Sequence, residues 1–257
     1  MSGRIIVWIP FGDMLHQGNP DFGRELFGKG PGNPAWWTRR ADLFKRFTLR
    51  SLEQQSDRDF EVWCGVASIT SPMAGPLRNV IAESSLGDRI SIYEHDVEET
   101  MGRGQGPVWS AVIDALSAGE TTFCFLDSDD MYHRDFISRV RAVQKRPGLV
   151  IYCQQGFIVD EAMRCMHVYD PQKCPAPFFA RYYPGDIDDL DEYEEEHDFL
   201  DVHSHLLQHE VRESIGHGLY CVLIHGANST STWENPQIVT KLRDEVRDIK
   251  STMEGFR

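Results

Sequence analysis

The sequence contains no long hydrophobic run and no pair of closely spaced cysteines. No apolar run reaches the roughly 18 residues of a membrane span, and the N-terminus does not follow the pattern of a secretory signal peptide. The six cysteines form no Cys-x-x-Cys pair. Four of them, Cys64, Cys124, Cys153 and Cys221, fall in predicted strands, where a reduced cysteine behaves as a small apolar residue. We therefore expect a soluble protein of a reducing cytoplasm.

Basic residues are scarce relative to acidic ones. The chain has 26 Lys and Arg against 40 Asp and Glu, which gives a formal net charge of −14. This balance argues against a protein whose main affinity comes from contacts with a polyanion backbone, although a local basic groove would be compatible with it. The Gly-Lys-Ser/Thr ending of a P-loop is also absent.

The most informative segment is a short apolar run, 121–126, that ends in carboxylates. Its β-forming residues predict a buried central strand, and Asp127, Asp129 and Asp130 follow it directly. Carboxylates at the carboxyl end of such a strand lie where open α/β sheets bind their ligands. Because closely packed negative charges repel one another, an oxygen-rich cluster of this kind suits Mg²⁺ or Mn²⁺, which can in turn hold a diphosphate. The alternative is a strand-to-helix turn in which Asp130 caps the next helix.

Strands and helices alternate along the first half of the chain, which predicts an α/β fold with a mainly parallel sheet. Predicted strands lie at 4–10, 60–66, 89–93 and 121–126, and predicted helices at 36–55, 77–84 and 108–118. The first helix has a predicted buried stripe of apolar and hydroxyl side chains. The stripe consists of Trp37, Ala41, Phe44, Phe47, Thr48 and Leu52.

The second half of the chain has a different pattern. We expect strands at 149–157, 164–169 and 220–225, and a polar helix from 236 to about 253. Residues 186–201 hold ten acidic side chains. Because such a run buries little apolar area, it predicts a solvated surface segment or a flexible lid.

Four segments, in order, resemble the bacterial and viral "putative rhamnosyl transferase" family. They are Trp-Trp-x-x-Arg-x-x-Leu-Phe-x-x-Phe-Thr-Leu-x-Ser-Leu-x-x-Gln at 36–55, Leu-Asp-Ser-Asp-Asp at 126–130, Pro-Ala-Pro-Phe-Phe at 175–179, and Leu-Ile-His-Gly-Ala-Asn-Ser at 223–229. The resemblance implies a glycosyltransferase with the A-type fold, formed by one domain over 1–257. Its halves would be a nucleotide-sugar-binding part, 1–130, and an acceptor-side part, 131–257, with a C-terminal helix.

The resemblance also implies site residues. Asp127 would face the ribose or the metal, Asp129 would ligate Mn²⁺ or Mg²⁺, and Asp130 would steady the metal or the donor sugar. His225 would be a further metal ligand after a late strand, and its alternative is a histidine hydrogen-bonded at a strand end. A metal that bridges two phosphates offsets the charge on a leaving diphosphate, which explains why this chemistry needs these residues.

Other donor-side candidates are less sharply defined. Ser128 lies within the acidic segment, and Arg103, in a glycine-rich connector, would reach a diphosphate. Many A-type transferases carry an acidic residue after the second strand to read uracil, and 65–70 has none. The nucleobase is therefore open, with Pro10, Phe11 and the strand end at 94–96 as candidates.

The acceptor side offers candidates for a general base. An inverting mechanism needs a base to take the acceptor proton, and Asp201, with Asp198 second, lies after the acidic run. A retaining mechanism would not need it. His203 and His205 are expected to be surface or acceptor-side residues rather than zinc ligands.

The leading hypothesis is a metal-dependent glycosyltransferase that moves a sugar from a nucleoside-diphosphate donor to a hydroxyl acceptor. The family name points to cell-surface polysaccharide. A hydroxymethylated DNA base is the alternative acceptor, and a viral chain would act in the host cytoplasm. An enzyme rival is a haloacid-dehalogenase-type phosphatase, which also places Asp-x-Asp after a strand but normally after the first one. A rival of another class is a metal- or glycan-binding module without catalysis.

Overall fold

The computed structural model describes residues 3–11, 30–96, 108–169, 179–197, 210–225, 239 and 242–256. Twelve strands lie within these ranges. They are β1 (Arg4–Pro10), β2 (Glu61–Ala67), β3 (Ile90–His95), β4 (Thr121–Phe125), β5 (Met131–Tyr132), β6 (Val150–Tyr152), β7 (Gln155–Asp160), β8 (Met166–Tyr169), β9 (Phe179–Tyr183), β10 (Arg212–Ser214), β11 (His217–Ile224) and β12 (Leu242–Glu245).

The strands form two sheets. The larger has seven strands in the order β10-β6-β9-β4-β1-β2-β3, and the smaller has five in the order β12-β8-β7-β11-β5. In the larger sheet β1 pairs in parallel with β2 and β4, and β2 in parallel with β3. Only β9 is antiparallel to its neighbours, β4 and β6. The α/β class with a parallel-rich central sheet is therefore confirmed.

Seven α-helices accompany the sheets in the described ranges. They are α1 (Pro34–Leu43), α2 (Arg50–Glu53), α3 (Gly75–Ala82), α4 (Trp109–Leu116), α5 (Phe136–Ala142), α6 (Leu190–Glu196) and α7 (Ile249–Met253). A π-helical segment, Phe44–Leu49, joins α1 to α2. The predicted helix at 36–55 is confirmed, and its whole predicted stripe is buried.

Helix α1 and its π-helical extension reach two separate parts of the core. Trp37 and Phe44 pack with the residues of β1 and β2 that face one side of the larger sheet. Leu43 and Phe47 pack instead with the smaller sheet and the C-terminal segment, including Met253. On the opposite side of the larger sheet, α4 covers β1 and β4. Helices thus flank the larger sheet on both faces, and α1 lies where the two sheets meet.

The second half of the chain differs from the sequence-based expectation in two places. The predicted strand at 149–157 is two strands, β6 and β7, which belong to different sheets. The predicted helix from 236 to about 253 is wrong for its middle part, since Leu242–Glu245 is a strand paired with β8. Among the described residues of this range, Val239 and Ile249–Met253 are helical. The polar residues of 242–245 are largely exposed at a sheet edge, so their periodicity carries little information about pairing.

The acidic run is not simply solvated. Helix α6 lies within it and buries Leu190, Tyr193 and Glu194. Tyr193 donates to the carbonyl oxygen of Tyr182, and Tyr183 donates to the carboxylate of Glu194 at 2.9 Å. Asp191, Glu192, Glu195 and Glu196 stay exposed, so the expected surface segment is confirmed for 190–196 as a helix with one buried face. The buried face is held because two tyrosines supply the apolar area and hydrogen bonds that the charged residues lack. The lid role stays a prediction. Residues 198–201 lie outside the described part.

Within the described ranges, no helix has both the length and the apolar character that crossing a membrane requires. The cysteines at 64, 124, 153, 165 and 221 are free thiols, and four of them are buried.

A close approach between β1 and β2 provides a test of the sheet. A Cβ atom on Gly65 would lie 2.4 Å from Cζ2 of the Trp8 indole, and neither residue has room to move in the buried sheet. Gly65→Ala should lower the free energy of unfolding by roughly 1–3 kcal/mol, the usual cost of overpacking. Urea denaturation measures this change.

The matched control is the same substitution in a Trp8→Phe background, which removes the clashing indole atoms. There Gly65→Ala should cost much less, so the two changes are strongly non-additive. Simple additivity of the two losses would contradict this packing.

Candidate functional site

The three carboxylates lie in the turn that carries the chain from one sheet to the other. We call residues 127–130, between β4 and β5, the acidic turn. The backbone N–H of Leu126 donates to the carbonyl of Trp8 at 3.1 Å, which continues the β1–β4 pairing up to the turn. The N–H of Asp130 donates to the carbonyl of Asp127 at 3.1 Å and closes the turn. As expected, the carboxylates follow the carboxyl end of a central parallel strand.

Asp129 is the centre of the hydrogen bonds at this turn. Its Oδ2 atom accepts from the Nη1 atom of Arg40 and from the Nε2 atom of His225, each at 2.7 Å. The side chain of Asp129 is 5% exposed and that of His225 is 0% exposed. The structure thus brings together two of the residues that the sequence predicts as metal ligands, 96 positions apart in the chain.

Asp130 holds the second sheet against the turn. Its Oδ1 atom accepts from the backbone N–H of Leu223, in β11, at 2.8 Å. The antiparallel pairing of Cys221 with Met131 fixes the same two segments. Since His225 directly follows β11, these contacts place its imidazole next to Asp129. Asp130 is not the cap of α5, whose N-cap position is Asp135.

Arg40 is a site residue to which sequence reasoning assigned no role. Its Nε atom donates to the hydroxyl of Ser128 at 2.7 Å, in addition to its ion pair with Asp129. Helix α1 begins at Pro34, with the Asn33 side chain as its N-cap. Arg40 follows Trp36 by one helical turn, and its guanidinium lies beside the Trp36 ring. The signal was present in the sequence, because Arg40 is the charged residue of the Trp-Trp-x-x-Arg segment. Nothing local indicates that its partner is 89 residues away.

The charges at the turn affect one another. Burial, together with the charge of Asp129, raises the pKa of Asp127 to about 6. Burial and both neighbouring carboxylates raise the pKa of Asp130 well above its usual value. Burial acts on Asp129 in the same direction, but Arg40 and His225 outweigh it and lower its pKa. Asp129 is thus held as the charged carboxylate, whereas burial and the neighbouring carboxylates disfavour the charged forms of Asp127 and Asp130.

Asp129 and His225 are side chains of types that ligate divalent metals. Neighbouring ligands of an octahedral ion with bonds of ~2.1 Å lie about 3 Å apart, and Oδ2 of Asp129 and Nε2 of His225 are 2.7 Å apart. Among the described residues, no group of three or more His, Cys, Asp and Glu side chains is arranged to hold a metal. Asp127, Asp129 and His225 are therefore not assembled as a three-ligand group, and only Asp129 and His225 are in contact. Their role as metal ligands stays a prediction.

The residues predicted to contact the donor differ in how far they are buried and in what they contact. Ser128 is buried and engaged by Arg40, whereas Asp127 is partly exposed. Pro10 ends β1, and the N–H of Phe11 donates to the carbonyl of Gly65 at 2.8 Å. The ring of Phe11 is fully buried between Trp37 and Phe44, so its side chain belongs to the core. A donor contact at Phe11 would have to involve its backbone.

The strand end at 94–96 already has internal partners. The carboxylate of Glu94 accepts from the hydroxyl of Ser71 and from the guanidinium of Arg78. The carbonyl of His95 accepts from the N–H and the hydroxyl of Ser68. These contacts tie the ends of β2 and β3 together.

Several predicted residues lie outside the described part of the chain. They are Arg103, Asp198, Asp201, His203 and His205. Their assignments to diphosphate, general base and acceptor remain predictions.

The family match covers the elements that build the acidic turn. The sequence profile of a protein family described as "Putative rhamnosyl transferase" matches residues 32–176, which include α1 with Arg40 and the whole acidic turn. His225 lies beyond the match. No curated protein matches the sequence. Because the matched segment is more than half of the 257 residues, the chain belongs to this "Putative rhamnosyl transferase" family.

Proposed function

We propose that the protein is a metal-dependent glycosyltransferase that moves a sugar from a nucleoside diphosphate to a hydroxyl acceptor. Family membership supports the transfer of a sugar. The observation that supports a metal and a diphosphate is the contact between Asp129 and His225. Asp129 is one of three neighbouring carboxylates, and of these Arg40 is paired with it alone. The family description names a rhamnosyl group, and we propose no particular sugar for this chain.

The charge at the turn favours a divalent cation. Three carboxylates face one guanidinium, and burial together with the neighbouring carboxylates raises the pKa values of Asp127 and Asp130. A bound Mn²⁺ or Mg²⁺ would act as a Lewis acid that offsets the charge developing on a leaving diphosphate. Asp129 and His225 would hold it with few protein ligands, an arrangement typical of ions that also bind substrate phosphates.

The remaining residues of the turn have distinct proposed roles. Asp127, the partly exposed carboxylate, would contact the ribose or the metal. Asp130 would act by positioning, because its carboxylate holds the backbone of Leu223 and through it His225. Asp201 or Asp198 would take the acceptor proton in an inverting reaction.

A screen of nucleotide sugars tests this function directly. A donor that binds the native state raises its melting temperature. We expect one nucleotide sugar to do so in Mn²⁺ and not in EDTA, and to be hydrolysed slowly in the absence of an acceptor. Binding without any hydrolysis or transfer would favour the non-catalytic binding module.

Asp129→Asn tests the metal ligand while conserving volume. Because the amide lacks the charge that holds the cation, donor affinity in Mn²⁺ should fall at least ~10-fold, the equivalent of ~1.4 kcal/mol. In EDTA the affinity should barely change. Isothermal titration with the selected donor measures both values.

Asp42→Asn is the control, since Asp42 pairs with Arg39 and Arg46 at the surface of α1. It should leave the affinity in Mn²⁺ unchanged. An Asp129→Asn protein that binds the donor as tightly as the parent in Mn²⁺ would rule out this ligand.

His225→Gln should raise the Mn²⁺ concentration required for half-maximal activity by at least ~10-fold, as expected when a contact around a metal is lost. His217→Gln, on the exposed start of the same strand, is the matched control. A variant with lower stability but an unchanged Mn²⁺ requirement would show that His225 is only a hydrogen-bonded core residue.

Asp130 is tested by comparing two replacements. Asp130→Ala leaves the buried N–H of Leu223 without an acceptor and should lower the free energy of unfolding by ~1–3 kcal/mol. Asp130→Asn keeps an oxygen for that N–H and removes a crowded charge, so it should be at least as stable as the parent protein. Urea denaturation measures the free energy of unfolding of both variants. An equal decrease in the two would contradict the positioning role of Asp130.

A further inference from the structure

The guanidinium of Arg40 spans the acidic turn. It donates through Nε to Ser128 and through Nη1 to Asp129, both at 2.7 Å. The Arg40 side chain is 15% exposed, and the face of Trp36 lies 5.7 Å from its central carbon. The neighbouring Arg39 has a different environment, because it is 40% exposed and pairs with Asp42 and Glu161 at the surface.

The ion pair of Arg40 uses the same oxygen that would ligate a metal. Oδ2 of Asp129 accepts from both Arg40 and His225. A divalent cation bound to this oxygen would lie within a few ångströms of the guanidinium. At such a distance two positive charges in a poorly solvated site repel each other by several kcal/mol, even at an effective dielectric constant of ~20. Arg40 and a metal would therefore compete for this oxygen of Asp129.

A displaced Arg40 would have a suitable anion nearby. A guanidinium has a planar fork of donors that matches phosphate oxygens, and the ion at Asp129 would share the diphosphate with it. The long side chain can leave Asp129 without moving the backbone of α1, which Trp37 anchors in the core. Arg40 is thus able to exchange one anionic partner for another.

We propose that Arg40 competes with the divalent cation for Asp129 and, once displaced, binds the diphosphate of the donor. This inference rests on the proposed function and assigns to it a diphosphate-binding residue. It has a thermodynamic consequence, because the metal must displace an internal cation. The metal alone binds weakly, and metal and diphosphate bind together much more tightly than either one alone.

Mn²⁺ and inorganic diphosphate are sufficient probes, since neither depends on the identity of the sugar or the base. Isothermal titration compares the parent protein, Arg40→Gln and the control Arg39→Gln. Removing the competing charge should tighten the binding of Mn²⁺ alone by roughly 10-fold or more in Arg40→Gln. Diphosphate in saturating Mn²⁺ should bind that variant roughly 10- to 100-fold more weakly, the value of a charge-assisted hydrogen bond. Arg39→Gln should match the parent protein in both titrations.

The two shifts have opposite signs, so a general loss of folding does not produce both. If Mn²⁺ binds Arg40→Gln no more tightly than the parent protein, the competition is refuted. If diphosphate affinity is unchanged, the diphosphate contact is refuted, while the proposed metal site stands. If neither protein binds Mn²⁺, the proposed function fails together with this inference.

A second measurement uses only the parent protein and does not depend on the folding of a variant. Phenylglyoxal modifies accessible arginines, and peptide mass spectrometry resolves Arg40 from Arg39. Mn²⁺ alone should raise the rate of Arg40 modification, and Mn²⁺ with diphosphate should lower it again. The rate at Arg39 should stay constant. A rate at Arg40 that does not respond to Mn²⁺ would overturn the proposal.

Discussion

The site depends on one oxygen atom. Oδ2 of Asp129 receives hydrogen bonds from Arg40 of α1 and from His225, which follows β11, so a single buried acceptor joins three remote segments. An isolated carboxylate at this depth would be neutralised by protonation. Instead, its two partners lower its pKa and keep it charged. The cost of burying Asp129 is thereby offset by residues that only the folded chain brings together, which makes the site a product of the tertiary structure.

The position of the acidic turn follows from the architecture. The turn ends β4 of the larger sheet and begins β5 of the smaller one, so it lies at the junction of the two. Helix α1 and its π-helical extension pack across that junction, with Trp37 on one side and Phe47 on the other. The same packing that fixes α1 therefore sets the position from which Arg40 reaches the turn. A change in the contact between the sheets would move all the partners of Asp129 together.

The sequence predicted those parts of the fold and of the site that depend on local patterns. The apolar strand before Asp127, the buried stripe of α1 and the alternation of strands and helices predicted the larger sheet and the edge where the carboxylates lie. A resemblance over separate segments added His225, which no periodicity would single out. These predictions rely on patterns that extend over a few consecutive residues.

What could not be predicted depends on long-range contacts. The partnership of Arg40 with Asp129, and the tie between Asp130 and Leu223, join residues 89 and 93 positions apart. The smaller sheet was not distinguished from the larger one because the pairing of its strands is long-range, and its edge strand, Leu242–Glu245, is polar and was predicted as a helix. Helix α6 was missed because its acidic residues conceal the buried Leu190 and Tyr193.

The central claim is that Asp129 and His225 bind a divalent cation which a donor diphosphate shares. Anomalous diffraction at the manganese edge, from crystals grown with Mn²⁺ and a nucleoside diphosphate, tests it most directly. The account predicts one strong peak within about 2.3 Å of Oδ2 of Asp129 and Nε2 of His225, with Arg40 on a phosphate oxygen. A fully occupied nucleotide with no manganese peak at Asp129, and with Arg40 still paired to that carboxylate, would contradict it.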